Sequence, residues 1–187
     1  SLSDPFTKLA IIADPATATF PLRSSQPGDE VLLNGGFESG LGNWSWWPGR
    51  AAGIDGEEYN SGKQALRVTT SSSGDHPNAT QTIAVVEGVT YRLSLGVKST
   101  GRNTHVKVLW FPDNESSDPQ TERFALQVDP ILSKESFPFD WMKVSSVVRA
   151  PTNARFAKLV LTGALPLAQD GIVHTWYDDV SFIPVDI

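Results

Sequence analysis

The chain has 187 residues, a formal net charge of −6, 40% hydrophobic residues and 19% charged residues. It is long enough for one domain with a sizeable core, and its acidic balance excludes a global footprint for nucleic acid or an anionic membrane. The lack of cysteine excludes disulfides, thiol chemistry and thiolate metal sites, and no apolar run is long enough to span a bilayer.

Residues 1–30 differ from the rest. Leu9–Ala13 reads as one strand among Asp-Pro pairs and the polar stretch Arg23–Glu30, so this segment is expected to be an N-terminal arm or linker. No signal peptide is evident and Met142 is the only methionine, which suggests a processed or excised piece of something longer. The Asn-X-Ser/Thr triplets at Asn43, Asn78 and Asn114 are of a kind that arises by chance in Ser/Thr-rich chains.

Residues 31–187 are expected to form one module of short strands. Fifteen glycines and 13 prolines interrupt the chain often, which favours turns over long elements. Gln64–Thr69 alternates, with Leu66 and Val68 on one face, and Gln81–Val85 groups Gln81, Ile83 and Val85. In Tyr91–Lys98, Tyr91, Leu93, Leu95 and Val97 face one way and Arg92, Ser94, Gly96 and Lys98 the other. Further strands are expected at His105–Phe111, Trp141–Val148, Ala157–Leu161 and Ile172–Phe182, with a polar loop around Asp113–Thr121. No long amphipathic helix and no fixed-period repeat is evident. Strands at near-regular spacing with turns between them predict an all-β fold, a β-sandwich or jelly roll of two antiparallel sheets.

Three pieces then recur in a telling order: Leu33-Asn-Gly-Gly-Phe-Glu-Ser-Gly-Leu-Gly-Asn-Trp44, Ser61-Gly-Lys-Gln-Ala-Leu-Arg-Val68 and Trp176-Tyr-Asp-Asp-Val-Ser-Phe182, with Glu87–Leu95 between the second and third. Their order and spacing resemble the jelly-roll carbohydrate-binding modules of families four, nine, sixteen and twenty-two, over about residues 31–184. The resemblance implies a non-catalytic domain of a secreted, bacterial polysaccharide-degrading protein. Its partners would be a polysaccharide and a catalytic domain of the same parent chain, with no nucleic acid and no membrane. An alternative is an accessory domain that packs against a glycoside hydrolase or polysaccharide lyase without binding sugar.

Counting along the last strand, Asp178 shares the parity of Val180 and Phe182 and would point inward with them. A lone inward carboxylate is costly unless paired or metal-bound. Glu38 follows Phe37 in a Gly-rich turn, and hard oxygen ligands from separate loops suit Ca²⁺. In the modules it resembles, these pieces surround a structural calcium. Carried over, they give Glu38, a carbonyl at or near Lys63, and Asp178, with Asp179 of opposite parity. The alternative is that Glu38 and Asp178 cap turns or accept backbone N–H bonds.

Sugars offer apolar C–H faces to aromatic rings and hydroxyls to polar groups. Of the six tryptophans, Trp44, Trp110 and Trp176 are expected in the core, and Trp141 in either setting. Trp46 and Trp47, in a loop-like stretch, are the best stacking platform because adjacent rings are hard to bury together. Arg92 and Lys98, joined by His105 and Lys107 from the next strand, would make a cationic cleft, with Gly96 leaving room for ligand. Such a cleft would suit a uronate polymer. His76, His105 and His174 lack metal spacing, no nucleophile elbow or phosphate loop is present, and the acids sit in turn-like stretches, so no enzyme is expected.

Overall fold

The structure, a computed structural model, describes residues 26–72, 74–113, 124–134, 138–168 and 171–187. The strand expected at Leu9–Ala13, most of the N-terminal arm and the polar loop beyond Asp113 lie outside these residues. Ten strands follow in chain order: β1 (Ser45–Trp47), β2 (Ala52–Asp55), β3 (Ala65–Thr70), β4 (Asn78–Ala84), β5 (Thr90–Ser99), β6 (Thr104–Phe111), β7 (Gln127–Lys134), β8 (Phe139–Arg149), β9 (Phe156–Thr162) and β10 (Val173–Pro184). They make two five-stranded sheets, ordered β1-β4-β9-β6-β7 and β2-β3-β10-β5-β8. Every pairing is antiparallel. The expected all-β sandwich is thus the observed architecture. Among the described residues no helix is long and apolar enough to cross a membrane.

The seven expected strands form, and three more appear. The unexpected ones carry weak signals: β1 is only Ser-Trp-Trp, β2 contains Gly53 and β7 contains Pro130. All three are edge strands, where a proline or glycine costs fewer ladder bonds than in a central strand.

Alternation builds the core. Leu66, Val68, Leu93, Leu95 and Val97 from one sheet meet Ile83, Val106, Val108, Trp110, Leu159 and Leu161 from the other, all buried. Each such side chain contributes roughly 1.5–3 kcal/mol by leaving water. Tyr91 stacks on Phe182 with ring centroids 4.8 Å apart, and Trp110 is tilted against both. The expected core positions of Tyr91 and Trp110 are the observed ones.

Alternation breaks once in β10. The register against β5 runs from Asp178 opposite Gly96 to Ser181 opposite Ser94, so β10 carries one extra residue there. Asp179 absorbs it at a φ of 52°, a left-handed conformation that Asp tolerates better than most residues. Thr175 and Tyr177 before the bulge, and Val180 and Phe182 after it, are all buried. The parity drawn straight through this strand is therefore wrong on one side of the bulge. Asp178 and Trp176, expected to point into the core with Val180, lie instead on the outer face, paired across the ladder with Gly96 and Lys98.

The turn before Phe37 locks onto this bulge. Val180 N–H donates to the Gly35 carbonyl at 2.9 Å, Val31 N–H to the Phe182 carbonyl at 3.1 Å and Gly28 N–H to the Pro184 carbonyl at 3.0 Å. A Cβ on Gly35 would lie 1.8 Å from the Val180 carbonyl oxygen, a backbone atom with little room to retreat. Gly35→Ala is expected to destabilise the fold by roughly 2–3 kcal/mol, in the range of core overpacking. The check is the urea midpoint of the variant against wild type; an unchanged midpoint would mean that the turn does not brace the bulge.

Candidate functional site

The outer face of the β2-β3-β10-β5-β8 sheet gathers a set of aromatic and charged side chains. Cross-strand partners share a face, and Trp176 of β10 stands opposite Arg67 of β3 on one side and Lys98 of β5 on the other. Gly53 of β2 completes the row beside Arg67 without adding a side chain. Trp176 is 8% exposed and forms the floor. His174 lies next along β10, its ring 5.6 Å from that of Trp176 and its Nδ1 2.9 Å from the Thr69 hydroxyl. Half-buried Trp141 stands on β8, on the far side of β5 from β10.

Carboxylates from the segment that ends β2 hold both indoles. The Trp176 indole N–H donates to Asp55 Oδ2 at 2.9 Å and the Trp141 indole N–H to Glu58 Oε1 at 2.8 Å. Asp55 Oδ1 also accepts the backbone N–H groups of Glu57 and Glu58 at 3.0 and 3.2 Å. That turn carries Glu58 back over the sheet. Lys98 joins the two halves: its ammonium is 3.0 Å from Glu58 Oε2, 3.6 Å from Asp140 Oδ1 and 5.6 Å from the centre of the Trp176 ring. The last distance is within cation–π range. Such partly exposed ion pairs add little stability, so their effect is to fix orientation.

The electrostatics agree with this geometry. Burial alone would raise Asp55, but the Trp176 N–H, the two backbone N–H groups and Arg67 outweigh it and hold the carboxyl below its usual range. A general acid in glycoside hydrolysis needs the opposite shift. The hydrogen bond to Glu58 raises Lys98 above its usual range, against the effect of burial. Burial and the nearby Arg67 push His174 below its usual range, against the pull of Asp55.

The expected single cationic cleft does not form. The chain crosses from one sheet to the other between β5 and β6, so their side chains do not share a face. Arg92 and Lys98 lie on the outer face just described, while His105 and Lys107 lie on the outer face of the opposite sheet. Lys98 is occupied by carboxylates rather than open to an anion. Burial depresses Lys107. The expected loop around Trp46 and Trp47 is instead the edge strand β1, paired with β4, and both rings are exposed, at 38% and 51%. Trp44 packs in the core as expected, 5.2 Å from Phe37 between ring centroids.

Glu38, Lys63 and Asp178 converge on one turn, residues 60–63, which folds over the outer face next to Gly96. Asp178, 0% exposed, accepts the N–H groups of Asn60 and Ser61 at 2.9 Å each on Oδ2 and that of Asp179 at 2.7 Å on Oδ1. Glu38 Oε1 accepts the Lys63 N–H at 2.9 Å. Gly62 has a φ of +67° and passes so close that a Cβ there would overlap Glu38 Oε1. Asp179 takes the side chains of Asn60 and Ser61. Burial raises Asp178 above the usual carboxylate range despite its three N–H donors. Among the described residues no group of three or more His, Asp or Glu has metal-binding geometry. What the carboxylates do here is clamp a turn through its N–H groups.

A family model described as a carbohydrate binding domain (CBM_4_9) matches residues 29–146. No curated protein matches the sequence. Among solved structures, the chain is similar to the enzymatically active domain of bacteriophage CBA120 tailspike protein 4, with a TM-score of 0.65 and 13% identity over 83% of this chain and 21% of that one. It is similar to the CBM22-1-GH10 modules of Clostridium thermocellum endo-1,4-beta-D-xylanase 10B, complexed with xylohexaose, with a TM-score of 0.59 and 20% identity over 86% of this chain and 29% of that one. The CBM22-1 xylan-binding domain of Paenibacillus barcinonensis Xyn10C gives a TM-score of 0.58 and 16% identity over 88% of this chain and 99% of that one. The chain thus spans a minor part of the first two and nearly all of the third; at these identities the likeness is one of fold. By the match over residues 29–146, the chain belongs to the carbohydrate binding domain family.

Proposed function

We propose that the outer face of the β2-β3-β10-β5-β8 sheet binds a neutral polysaccharide of the xylan type, with no chemistry performed on it. One observation carries this reading. Two indoles lie on one sheet face, each with its N–H tied to a carboxylate, and a single ammonium links the two carboxylate-held halves. Held in this way, the half-buried Trp141 ring offers an apolar surface to a sugar C–H face beside the buried Trp176 floor, with little loss of rotamer freedom on binding. Asp55, Glu58, Lys98 and His174 supply hydrogen-bonding groups at the rim, where sugar hydroxyls can exchange for water.

The paired charges next to the indoles favour a neutral over an acidic glycan. Around the two indoles stand three carboxylates, Asp55, Glu58 and Asp140, paired with Arg67 and Lys98, while Arg92 and Lys143 stand further along the same face. A uronate would have to displace one of those carboxylates or face them. The xylan-binding domain and the xylohexaose complex among the similar folds support a neutral ligand. The same reading has the domain work outside the cell as one part of a longer polysaccharide-degrading protein, as the xylanase and the tailspike are multi-part chains.

Affinity electrophoresis or titration calorimetry against soluble xylan and polygalacturonate tests this. Retention by xylan and not by polygalacturonate is the expected result. Trp141→Ala should weaken xylan binding at least about tenfold, the equivalent of about 1.4 kcal/mol, with the fold intact. Retention by polygalacturonate alone would restore the acidic-glycan reading. No retention on either gel by a folded protein would favour an accessory domain that packs against a catalytic partner.

A structural Ca²⁺ at the 60–63 turn is part of the same proposal. Its support is that Glu38 and Asp178 both reach the turn that carries the Lys63 backbone, and carboxylate and carbonyl oxygens suit a hard cation. The ion would stabilise the fold by mass action. Thermal unfolding in millimolar Ca²⁺ should then run several degrees above that in chelator; coincident curves would leave the turn to its N–H bonds alone.

A further inference from the structure

Among the described residues the two sheets end in four edge strands, and these are not alike. β1 has three residues, β2 has four and contains Gly53, and β7 contains Pro130 and a register shift against β6. Shortness, proline and bulges are the usual means by which a sheet edge is kept from pairing with another chain. β8, the fourth edge, has eleven residues with neither proline nor glycine. Its one register shift against β5 falls near its start, between Phe139 and Met142, and the pairing is regular from Met142 to Arg149. Such an edge presents a row of backbone N–H and C=O groups to whatever strand comes alongside.

The side chains along β8 are those of a strand covered on its open side. Met142 and Val144 pack against the core but are only half-buried, as are Ile131 and Leu132 on β7, the edge strand of the facing sheet. On the outer face Val147 is 49% exposed. The core thus reaches solvent along this edge.

The charges fit one partner, a second copy of the same strand. A two-fold axis normal to the sheet keeps inner and outer faces on their own sides. With that axis at Ser145, two antiparallel β8 strands place Ser145 opposite Ser145, Lys143 opposite Val147 and Trp141 opposite Arg149 on the outer face. On the inner face Val144 meets Ser146 and Met142 meets Val148. The outer pairs are favourable ones: hydroxyl with hydroxyl, the lysine stem along valine, guanidinium on indole. Asp140, next to Trp141 in sequence, meets the same arginine, and no two like charges stand opposite each other.

We propose that β8 is a self-pairing edge: two copies of this chain join through antiparallel β8 strands centred on Ser145, and their two five-stranded β2-β3-β10-β5-β8 sheets become one continuous sheet. The contact uses the same patch on both copies, so it closes at a dimer. It needs neither sugar nor metal and stands apart from the proposed function.

The chain has no cysteine, so single introduced thiols report the register. Opposite residues of an antiparallel pair have Cα atoms about 4.5–5.5 Å apart, inside the span of a disulfide, about 4.4–6.8 Å. Lys143 lies four positions from its own copy across the axis, roughly 14 Å along the strand. Under mild oxidation Ser145→Cys is expected to cross-link to completion. Lys143→Cys and Val147→Cys should each stay unlinked alone and form the mixed dimer when combined. Sedimentation equilibrium of the unmodified chain should show a reversible monomer–dimer equilibrium, with a dissociation constant raised at least about tenfold in Arg149→Asp. A chain that stays monomeric at every concentration leaves this edge to a different partner and overturns the pairing. Ser145→Cys linking no faster than Lys143→Cys, or a dimer indifferent to Arg149→Asp, places the contact elsewhere and overturns it as well.

Discussion

The extra residue in β10 is the constraint from which the site follows. A strand with strict alternation would place either Tyr177 or Phe182 in the core, not both. With Asp179 taking the left-handed turn, both rings are buried, Phe182 against Tyr91 and Tyr177 with its hydroxyl donating to the Thr162 carbonyl at 2.6 Å. The same residue leaves Trp176 and Asp178 on the outer face. One carboxylate there becomes the anchor for the 60–63 turn, and one indole becomes the floor of the aromatic row. A bulge of this kind re-aims side chains at a functional face while keeping the core on both sides of it.

The carboxylates on that face are spent on holding other groups. Asp178 takes three backbone N–H groups and Asp55 takes two with an indole N–H besides. Hydrogen bonds to ionised acceptors are the stronger kind, and here they convert acidic side chains into braces for a turn and for a ring. This is how a protein of net charge −6 builds a face dense in acids whose carboxylates are largely taken up by N–H donors and cations. Lys98 finishes the neutralisation by bonding Glu58 and Asp140 while lying over Trp176.

The fold was largely legible because it depends on period-two alternation, and seven strands display it plainly. The core residues of β3, β4, β5, β6 and β9 could be read by parity alone. The site was less legible for two physical reasons. A bulge has no signature in the alternation itself: Trp176-Tyr-Asp-Asp-Val-Ser-Phe182 reads as a continuous strand, and only the positive φ at Asp179 breaks it. Sheet membership is also invisible to parity. Arg92 and His105 stand on consecutive strands, so the sequence suggests neighbours, yet the chain crosses the sandwich between them. Asp55, Glu58 and Asp140 looked like ordinary loop acids because their partners Trp176, Trp141 and Lys98 are brought to them by pairings between distant segments. The Asp55–Trp176 bond, for instance, spans 121 positions.

The six tryptophans differ in where the ring and its N–H find their partners. Trp44 and Trp110 have buried rings and satisfied donors, which is packing. Trp141 and Trp176 have rings facing outward and donors fixed by carboxylates, so most of their ordering cost is met when the chain folds. Trp47 has neither its ring nor its donor fixed. Ordering one such side chain on binding costs about 0.5–1.5 kcal/mol, a cost that a ring fixed when the chain folds does not carry.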